Sequence, residues 1–215
     1  MDSAGTGPGG QIAGHLASDL ELRAFAGAGI APHLADIARL RAEVLAGWPY
    51  LRAPDPAAER AQLETLEGDD SAVAVLAFDA GVAVGAATAQ RLDRAGAGMA
   101  AAFAMTDLPP DQTMFLGESV LLPAFRGQGA GHVLIAARER HARRLGLRWA
   151  VLATYDRAEA RPERPADWRP LDPFWRARGY RPLLGVGVTV PWVEAGRAGA
   201  QGHTLDLWVR DLTAP

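Results

Sequence analysis

The segment LPAFRGQGAGHVLIAARERHARRLG, Leu122 to Gly146, is the most informative part of the sequence. Three glycines fall within five residues, directly after an apolar run at 114–122 that is typical of a strand. Apolar residues at helical spacing follow the glycines, and Gly146 suits the end of a helix. Because glycine is costly inside regular elements, the cluster indicates a turn where the backbone must approach something closely.

A helix that begins at such a turn is suited to bind an anion. The first turn of a helix has N–H groups without intrahelical partners and a partial positive charge, and phosphates bind there. Gly127, Gly129 and Gly131 leave room for close approach, and Arg126 adds a permanent positive charge. We therefore interpret the turn as a cradle for a diphosphate.

Other phosphate-binding motifs fit less well. A dinucleotide fingerprint requires G-x-G-x-x-G, and from Gly127 the third glycine position holds His132. The P-loop pattern G-x-x-x-x-G-K-[ST] is absent from the sequence. A glycine-rich turn that binds no ligand stays open as an alternative.

The composition limits the class of protein. The chain has 215 residues, 49% of them hydrophobic and 22% charged, and a net charge of −3, which argues against a dedicated nucleic-acid binder. It has no cysteine, which excludes disulfides, thiolate metal sites and a cysteine nucleophile. No apolar run is long enough for a membrane span, and the first residues do not resemble a signal peptide. We expect a cytoplasmic protein with a flexible tail at 1–18 and one domain at 19–215.

The hydrophobic pattern predicts one mixed sheet with helices on both faces. A hairpin is indicated at Asp79-Ala80-Gly81, a surface loop at 157–170, and only weak structure at 94–112. The remaining elements are predicted as strands at 20–27, on both sides of the hairpin turn, at 114–122, 147–155, 181–190 and 203–212, and as helices at 33–48, 57–67, 129–145 and 171–180.

The run Arg126-Gly127-Gln128-Gly129-Ala130-Gly131 resembles the [Q/R]-x-x-G-x-[G/A] signature of the GCN5-related N-acetyltransferases (GNAT). Pro123 and Phe125 before it also fit, and the element order is similar to that of the family. The resemblance implies a single α/β domain with a mixed, mostly antiparallel sheet flanked by helices. It also implies an acetyl-CoA-dependent N-acetyltransferase without a metal.

The resemblance further implies how acetyl-CoA binds. The pantetheine arm is expected along the edge of the strand at 114–122. It would lie in a V-shaped gap between that strand and the strand at 147–155. The diphosphate is expected on backbone amides between Gly127 and His132. The implied cofactor-binding residues are Ser119, Val120, Leu121, Arg126, Gly127, Gln128, Gly129, Ala130, Gly131 and His132.

Glu118 is the candidate general base, because it interrupts an apolar strand just before the implied cofactor contacts. Partial burial would raise its pKa and let it accept a proton, with water as a relay if needed. The alternative is a structural carboxylate paired with an arginine or with backbone donors. The N–H groups near Val120 and Leu121 are the expected oxyanion donors.

The general acid is harder to assign. Many members of the resembled family carry a tyrosine where this chain has Trp175, and an indole is poorly suited to give a proton to a thiolate. Tyr155, at the end of its strand, is the candidate substitute, with solvent as the alternative. Tyr180 is expected in the core.

Other conspicuous residues have simpler interpretations. Core packing is favoured for Trp48-Pro49-Tyr50 over a role in the acceptor pocket. His132 and His141 are nine residues apart, which does not suit a metal pair, and a solvated helix face is expected. A solvated loop is slightly favoured for the arginines between Arg157 and Arg169, over an anion site.

We therefore predict transfer of an acetyl group from acetyl-CoA to an amine of a small molecule or peptide, by direct attack in a ternary complex. Nucleic acid and membrane are not expected as partners, and a homodimer is compatible with the prediction. Two alternatives stay open: a non-catalytic acyl-CoA-binding or sensing module, and a nucleotide-binding protein that uses the same cradle.

Overall fold

A computed structural model describes residues 10–11, 19–104, 106–157 and 161–214. These residues form one eight-stranded sheet with the order β1-β2-β3-β4-β5-β6-β8-β7. The strands are β1 (Gly10–Gln11), β2 (Glu21–Ala26), β3 (Val73–Asp79), β4 (Val82–Arg91), β5 (Thr113–Leu121), β6 (Trp149–Thr154), β7 (Arg181–Trp192) and β8 (Gln201–Asp211). The helices are α1 (Leu34–Leu45), α2 (Pro56–Gln62), α3 (Ala97–Phe103), α4 (Ala130–Arg144) and α5 (Asp172–Arg176).

The sheet is mostly antiparallel. Among the described strands, only β5 and β6 run parallel, and α4 is the helical connection between them. The hairpin predicted at Asp79-Ala80-Gly81 joins β3 to β4, with Ala80 at φ 46° and Gly81 at φ 82°. The mixed sheet with flanking helices is confirmed.

Helices cover both faces of the sheet because successive strand residues point to opposite sides. Val75 and Ala77 of β3 pack in one cluster with Leu134 and Ile135 of α4. Ala74 and Leu76 pack on the other face, in a cluster with apolar residues of α1. The apolar stripes of α1 and α4 therefore determine the two sides of the core.

Several boundaries differ from the prediction. The small-residue segment 94–112 contains α3, and Phe103 at its end is fully buried. The second helix is shorter than predicted: Asp55 caps it by accepting from the Ala58 N–H at 2.9 Å, and after Gln62 the chain continues as a 3-10 turn. Within the predicted tail, Gly10–Gln11 pairs with β2, and the rest of 1–18 lies outside the described residues.

Candidate active site

The sheet opens between its two parallel strands. β5 and β6 pair only from Thr113–Leu116 to Trp149–Leu152. Beyond Leu116, β5 continues to Leu121 alongside β4, while β6 continues to Thr154 alongside β8. Among the described residues, the edge of β5 that faces the gap therefore has no neighbouring strand from Gly117 to Leu121.

A β-bulge lies where the gap begins. Ala87 of β4 pairs with Ser119 and Ala89 pairs with Leu116, so Gly117 and Glu118 oppose the single residue Thr88. A methyl group at Gly117 would lie 2.5 Å from Thr88 Oγ1, which explains the glycine. Such a bulge bends its strand and re-aims the side chains beside it.

The predicted cradle adjoins this free edge. Gly127 has φ 77° and Gly129 has φ 91°, a left-handed conformation that glycine adopts without cost. Gly129 caps α4, and no backbone carbonyl of the described residues accepts from the N–H of Gly127, Gln128 or Gly129. Unpaired N–H groups at the N-terminus of a 15-residue helix fit a diphosphate.

The side chains of the turn support its shape. Arg126 Nε donates to the Leu121 carbonyl at 2.9 Å, and Gln128 Nε2 donates to the Ala124 carbonyl at 3.1 Å. The His132 N–H donates within the turn, to Gly129 O at 3.0 Å, so it is less available to a ligand than the preceding amides. The His132 ring contacts Arg178 and is exposed.

Glu118 forms a close ion pair with Arg41 of α1. Burial acts to raise the pKa of Glu118, but the charge of Arg41, a backbone hydrogen bond and Arg52 together hold this pKa below its ordinary value. The expectation of a raised pKa is therefore wrong. The carboxylate is paired with an arginine, yet 36% of its side chain stays exposed.

Arg41 belongs to a buried charge network. Its Nε donates to Glu59 at 2.7 Å, and its Nη2 donates to Gln62 Oε1 at 3.0 Å. Arg52 also pairs with Glu59, at 2.8 Å. The network fixes α2 against α1 and holds the Arg41 guanidinium beside Glu118.

Tyr155 lies in a group of rings at the end of β6. Its ring centroid is 5.8 Å from that of Tyr50 and 5.1 Å from that of Trp192, and its hydroxyl is 3.1 Å from His203 Nδ1. Burial, followed by the negative charge of Glu118, raises the pKa of Tyr50 to about 12. Tyr50 therefore connects the surroundings of Tyr155 with those of Glu118.

Trp175 and Tyr180 are core residues. Trp175 is 8% exposed and packs against Phe174 and Tyr180. Tyr180 is 2% exposed, as expected, and its hydroxyl donates to Glu139 at 2.8 Å. The tryptophan therefore has a packing role.

Two of the residues expected to be solvated are buried, whereas His132, Arg164 and Arg169 are exposed as expected. His141 is buried, and its Nε2 is 3.0 Å from the Ser71 carbonyl. Arg157 is also buried: it pairs closely with Glu194 and donates from Nε to the Pro49 carbonyl at 2.9 Å. Both side chains bond to distant parts of the chain, which the local sequence does not reveal.

Arg41 is a site residue that the sequence reading missed. Leu34, Ile37, Arg41 and Leu45 occupy one stripe of α1, and the three apolar members are buried. An arginine in an apolar stripe indicates a buried partner, because a charge is costly to bury unpaired. That signal was available in the sequence, whereas the identity of the partner was not.

The described residues contain no group of three or more histidines, aspartates or glutamates that could hold a metal ion. Among the described helices, none combines the length and apolar character needed to cross a membrane.

Solved structures share this architecture at low sequence identity. The phosphinothricin acetyltransferase of Sinorhizobium meliloti, solved with acetyl-CoA, is 18% identical; the alignment covers 90% of this chain and 89% of that one, with a TM-score of 0.55. An N-acetyltransferase of Staphylococcus aureus is 14% identical, with 91% and 100% covered and a TM-score of 0.56. An acetyltransferase of Thermus thermophilus is 22% identical, with 88% and 96% covered and a TM-score of 0.51. These likenesses show the fold.

A comparison with curated proteins gives no match. The profile of the Acetyltransferase (GNAT) family matches residues 35–162, which include α1 from its second residue, the bulge, the glycine turn and β6. This match spans more than half of the chain, and the fold agrees with it. The chain therefore belongs to the GNAT acetyltransferase family and is an acyltransferase.

Proposed function

We propose that the protein transfers the acetyl group of acetyl-CoA to an amine of a small molecule or peptide, by direct attack in a ternary complex. The observation that carries the proposal is the free edge of β5 next to the glycine-headed N-terminus of α4. Acetyl-CoA supplies the reactive thioester. The edge suits its pantetheine amides, and the helix N-terminus suits its diphosphate.

Leu121 is the better of the two predicted oxyanion donors. Leu122 N–H donates to the Val84 carbonyl at 3.0 Å, towards β4. Because N–H groups alternate in direction along a strand, that of Val120 also faces β4 and that of Leu121 faces the gap. A preorganised donor at this position stabilises negative charge on the acyl oxygen.

Glu118 and Tyr155 are proposed for the two proton transfers. The Glu118 carboxylate, kept ionised by Arg41, attracts the acceptor ammonium and takes a proton from the amine. Tyr155 gives its hydroxyl proton to the departing thiolate, and the contact with His203 orients the phenol. Solvent is the alternative donor.

Two observations favour a second function. Trp175 occupies the position of the family tyrosine and is buried, and the Glu118 carboxylate is tied to Arg41. A non-catalytic acyl-CoA-binding or sensing module would need neither proton transfer. It would keep the cradle and the free edge alone.

The acceptor is proposed as a small-molecule or peptide amine, the compartment as the cytoplasm, and a homodimer as one form of assembly. The deciding experiment measures steady CoA release across polyamines, aminoglycosides, amino acids and peptide N-termini. Repeated turnover with any amine supports the enzyme. Tight acetyl-CoA binding without amine-dependent release supports the binding module.

A further inference from the structure

Arg138 is a fully buried arginine beneath the bulge of β5. It lies in the middle of α4, and 1% of it is exposed. Its Nη1 donates to the carbonyls of Thr88 and Gly117, both at 3.0 Å, and its Nη2 donates to Ser119 Oγ at 2.6 Å. Its Nε donates to the Leu134 carbonyl at 3.2 Å.

All of these acceptors are uncharged oxygens. Within the described part of the chain, no carboxylate forms an ion pair with Arg138. Burial lowers the pKa of Arg138 to about 10, so the guanidinium stays charged at neutral pH. A buried charge of this kind is costly unless its hydrogen bonds are well made. Removing the guanidinium would leave the buried oxygens that it binds without a donor, which is also costly.

The two carbonyl groups that accept from Arg138 Nη1 belong to the two strands that pair irregularly at the bulge. Thr88 belongs to β4, and Gly117 is the first of the two β5 residues that oppose it. The planar fork of an arginine can bond several acceptors in fixed directions, which the ammonium of a lysine cannot do. Arg138 therefore fixes the separation of the two strands at the bulge.

We propose that Arg138 is a positioning residue for acetyl transfer. By holding the bulge, it keeps the free β5 edge and the Glu118 side chain in the geometry that the reaction requires. This inference rests on the proposed function of that edge. It assigns to Arg138 no contact with acetyl-CoA or with the acceptor.

The test compares Arg138→Met, Arg138→Lys and the matched control Arg140→Met, which removes an exposed arginine from the same helix. Two quantities are measured for each: hydrogen exchange of the ligand-free protein, and kcat with the KM for acetyl-CoA, expressed per folded molecule. Hydrogen exchange measures how readily the backbone opens at the bulge, and it needs no substrate. It therefore separates failure of this inference from failure of the proposed function.

We expect Arg138→Met to speed exchange in peptides that contain 85–90 and 116–121, while peptides of the cradle at 126–131 exchange as in the unmodified protein. Misplacing reacting groups by about 1 Å can cost on the order of 10²-fold in rate, and we expect a loss of kcat of that order. Arg138→Lys should show a similar but smaller effect, and Arg140→Met should match the unmodified protein.

Unchanged exchange at the bulge together with normal kcat in folded Arg138→Met overturns the inference. A fall in stability alone, with normal kcat per folded molecule, also overturns it. If Arg138→Met does not fold, Ser119→Ala removes one of the four hydrogen bonds of Arg138, at the exposed end of the network. Faster exchange and lower kcat in that variant support the inference, and no change in either contradicts it.

Discussion

Glu118 shows how a single charge pair alters the chemistry of a residue at the site. Burial alone would raise the pKa of its carboxyl, but the Arg41 charge keeps the pKa below its ordinary value. A carboxylate that is ionised at neutral pH can hold an ammonium group but is a weak base. Its contribution to proton transfer therefore depends on the acceptor amine lying close to it.

We predict that Glu118→Gln lowers kcat on the order of 10²-fold, the lower end of the usual contribution of a general base because the pKa is lowered, with little change in acetyl-CoA affinity. The glutamine keeps the size of the side chain but loses the negative charge. Steady-state kinetics between pH 6 and pH 9, with acetyl-CoA affinity measured by calorimetry, test this. Full activity across that range would show that Glu118 is structural.

The lowered pKa of Glu118 also predicts how stability depends on pH. A carboxyl whose folded-state pKa lies below its unfolded value of about 4.3 stabilises the fold above that value. The stabilisation is lost as the pH falls through the lowered folded-state pKa. We therefore expect urea unfolding to find Glu118→Gln less stable than the unmodified protein at pH 7, with a smaller difference below pH 4. An equal difference at both pH values would contradict the Arg41 pairing.

Conservative substitutions of Tyr155 and Trp175 are expected to have different effects, the first on kcat and the second on stability. Tyr155→Phe removes one hydroxyl beside His203, so a specific loss of kcat is expected if this hydroxyl protonates the thiolate. Trp175→Phe alters core packing, so lower stability is expected with most activity kept. Kinetics and thermal unfolding of both variants decide the matter. A large loss of kcat in stable Trp175→Phe would contradict the packing role, and normal kcat in Tyr155→Phe would leave solvent as the donor.

At the scale of elements, local signals predicted the regular parts and missed the irregular ones. The strand–turn–helix unit from β5 to α4 was predicted because its glycines and apolar spacing are consecutive in sequence. The bulge was not predicted, because it arises from the pairing of β5 with β4, a separate segment of the chain. Helix α3 was missed because its small residues have no apolar period, and burial of Phe103 anchors its end.

The cradle gives a prediction at Gly131. This glycine lies in the first turn of α4, and an added Cβ would meet Phe174 at 3.8 Å, an ordinary contact. Gly131→Asp should therefore fold, since an acidic residue in the first turn stabilises a helix by about 0.3–1 kcal/mol. The added charge should repel the diphosphate by about 2.8 kcal/mol at about 6 Å and an effective dielectric constant of about 20.

This repulsion corresponds to a loss of acetyl-CoA affinity on the order of 100-fold. Gly131→Asn is the matched control, because it adds a side chain of the same size without charge. Calorimetry of both variants separates the repulsion from steric blocking. Equal affinities in the aspartate and asparagine variants would show that charge at this helix end does not matter to the ligand.

At the scale of the molecule, the sheet places the predicted groups around one opening. Apart from β1 and α3, the order of elements was predictable, because the other strands and helices each have their own apolar pattern. The contacts among α1, β5, Tyr50 and the end of β6 were not predictable, since Arg41 and Glu118 are 77 residues apart and Tyr155 and His203 are 48 apart. The site therefore follows from packing between distant segments, whereas the cradle follows from one short segment.

Binding at this opening should stabilise the whole domain, and the size of the effect can be estimated. A ligand present at 100 times its Kd stabilises the native state by about 2.7 kcal/mol. For a domain of this size, 1 kcal/mol raises Tm by roughly 2–4 °C, so acetyl-CoA should raise Tm by roughly 5–11 °C. NAD and ATP, tested at the same concentration, should give much smaller shifts because they lack the pantetheine arm that suits the free β5 edge. The shift should be largely lost in Gly131→Asp and kept in Glu118→Gln. Equal shifts for all three ligands would instead identify the opening as a general nucleotide site and would contradict selective acetyl-CoA binding.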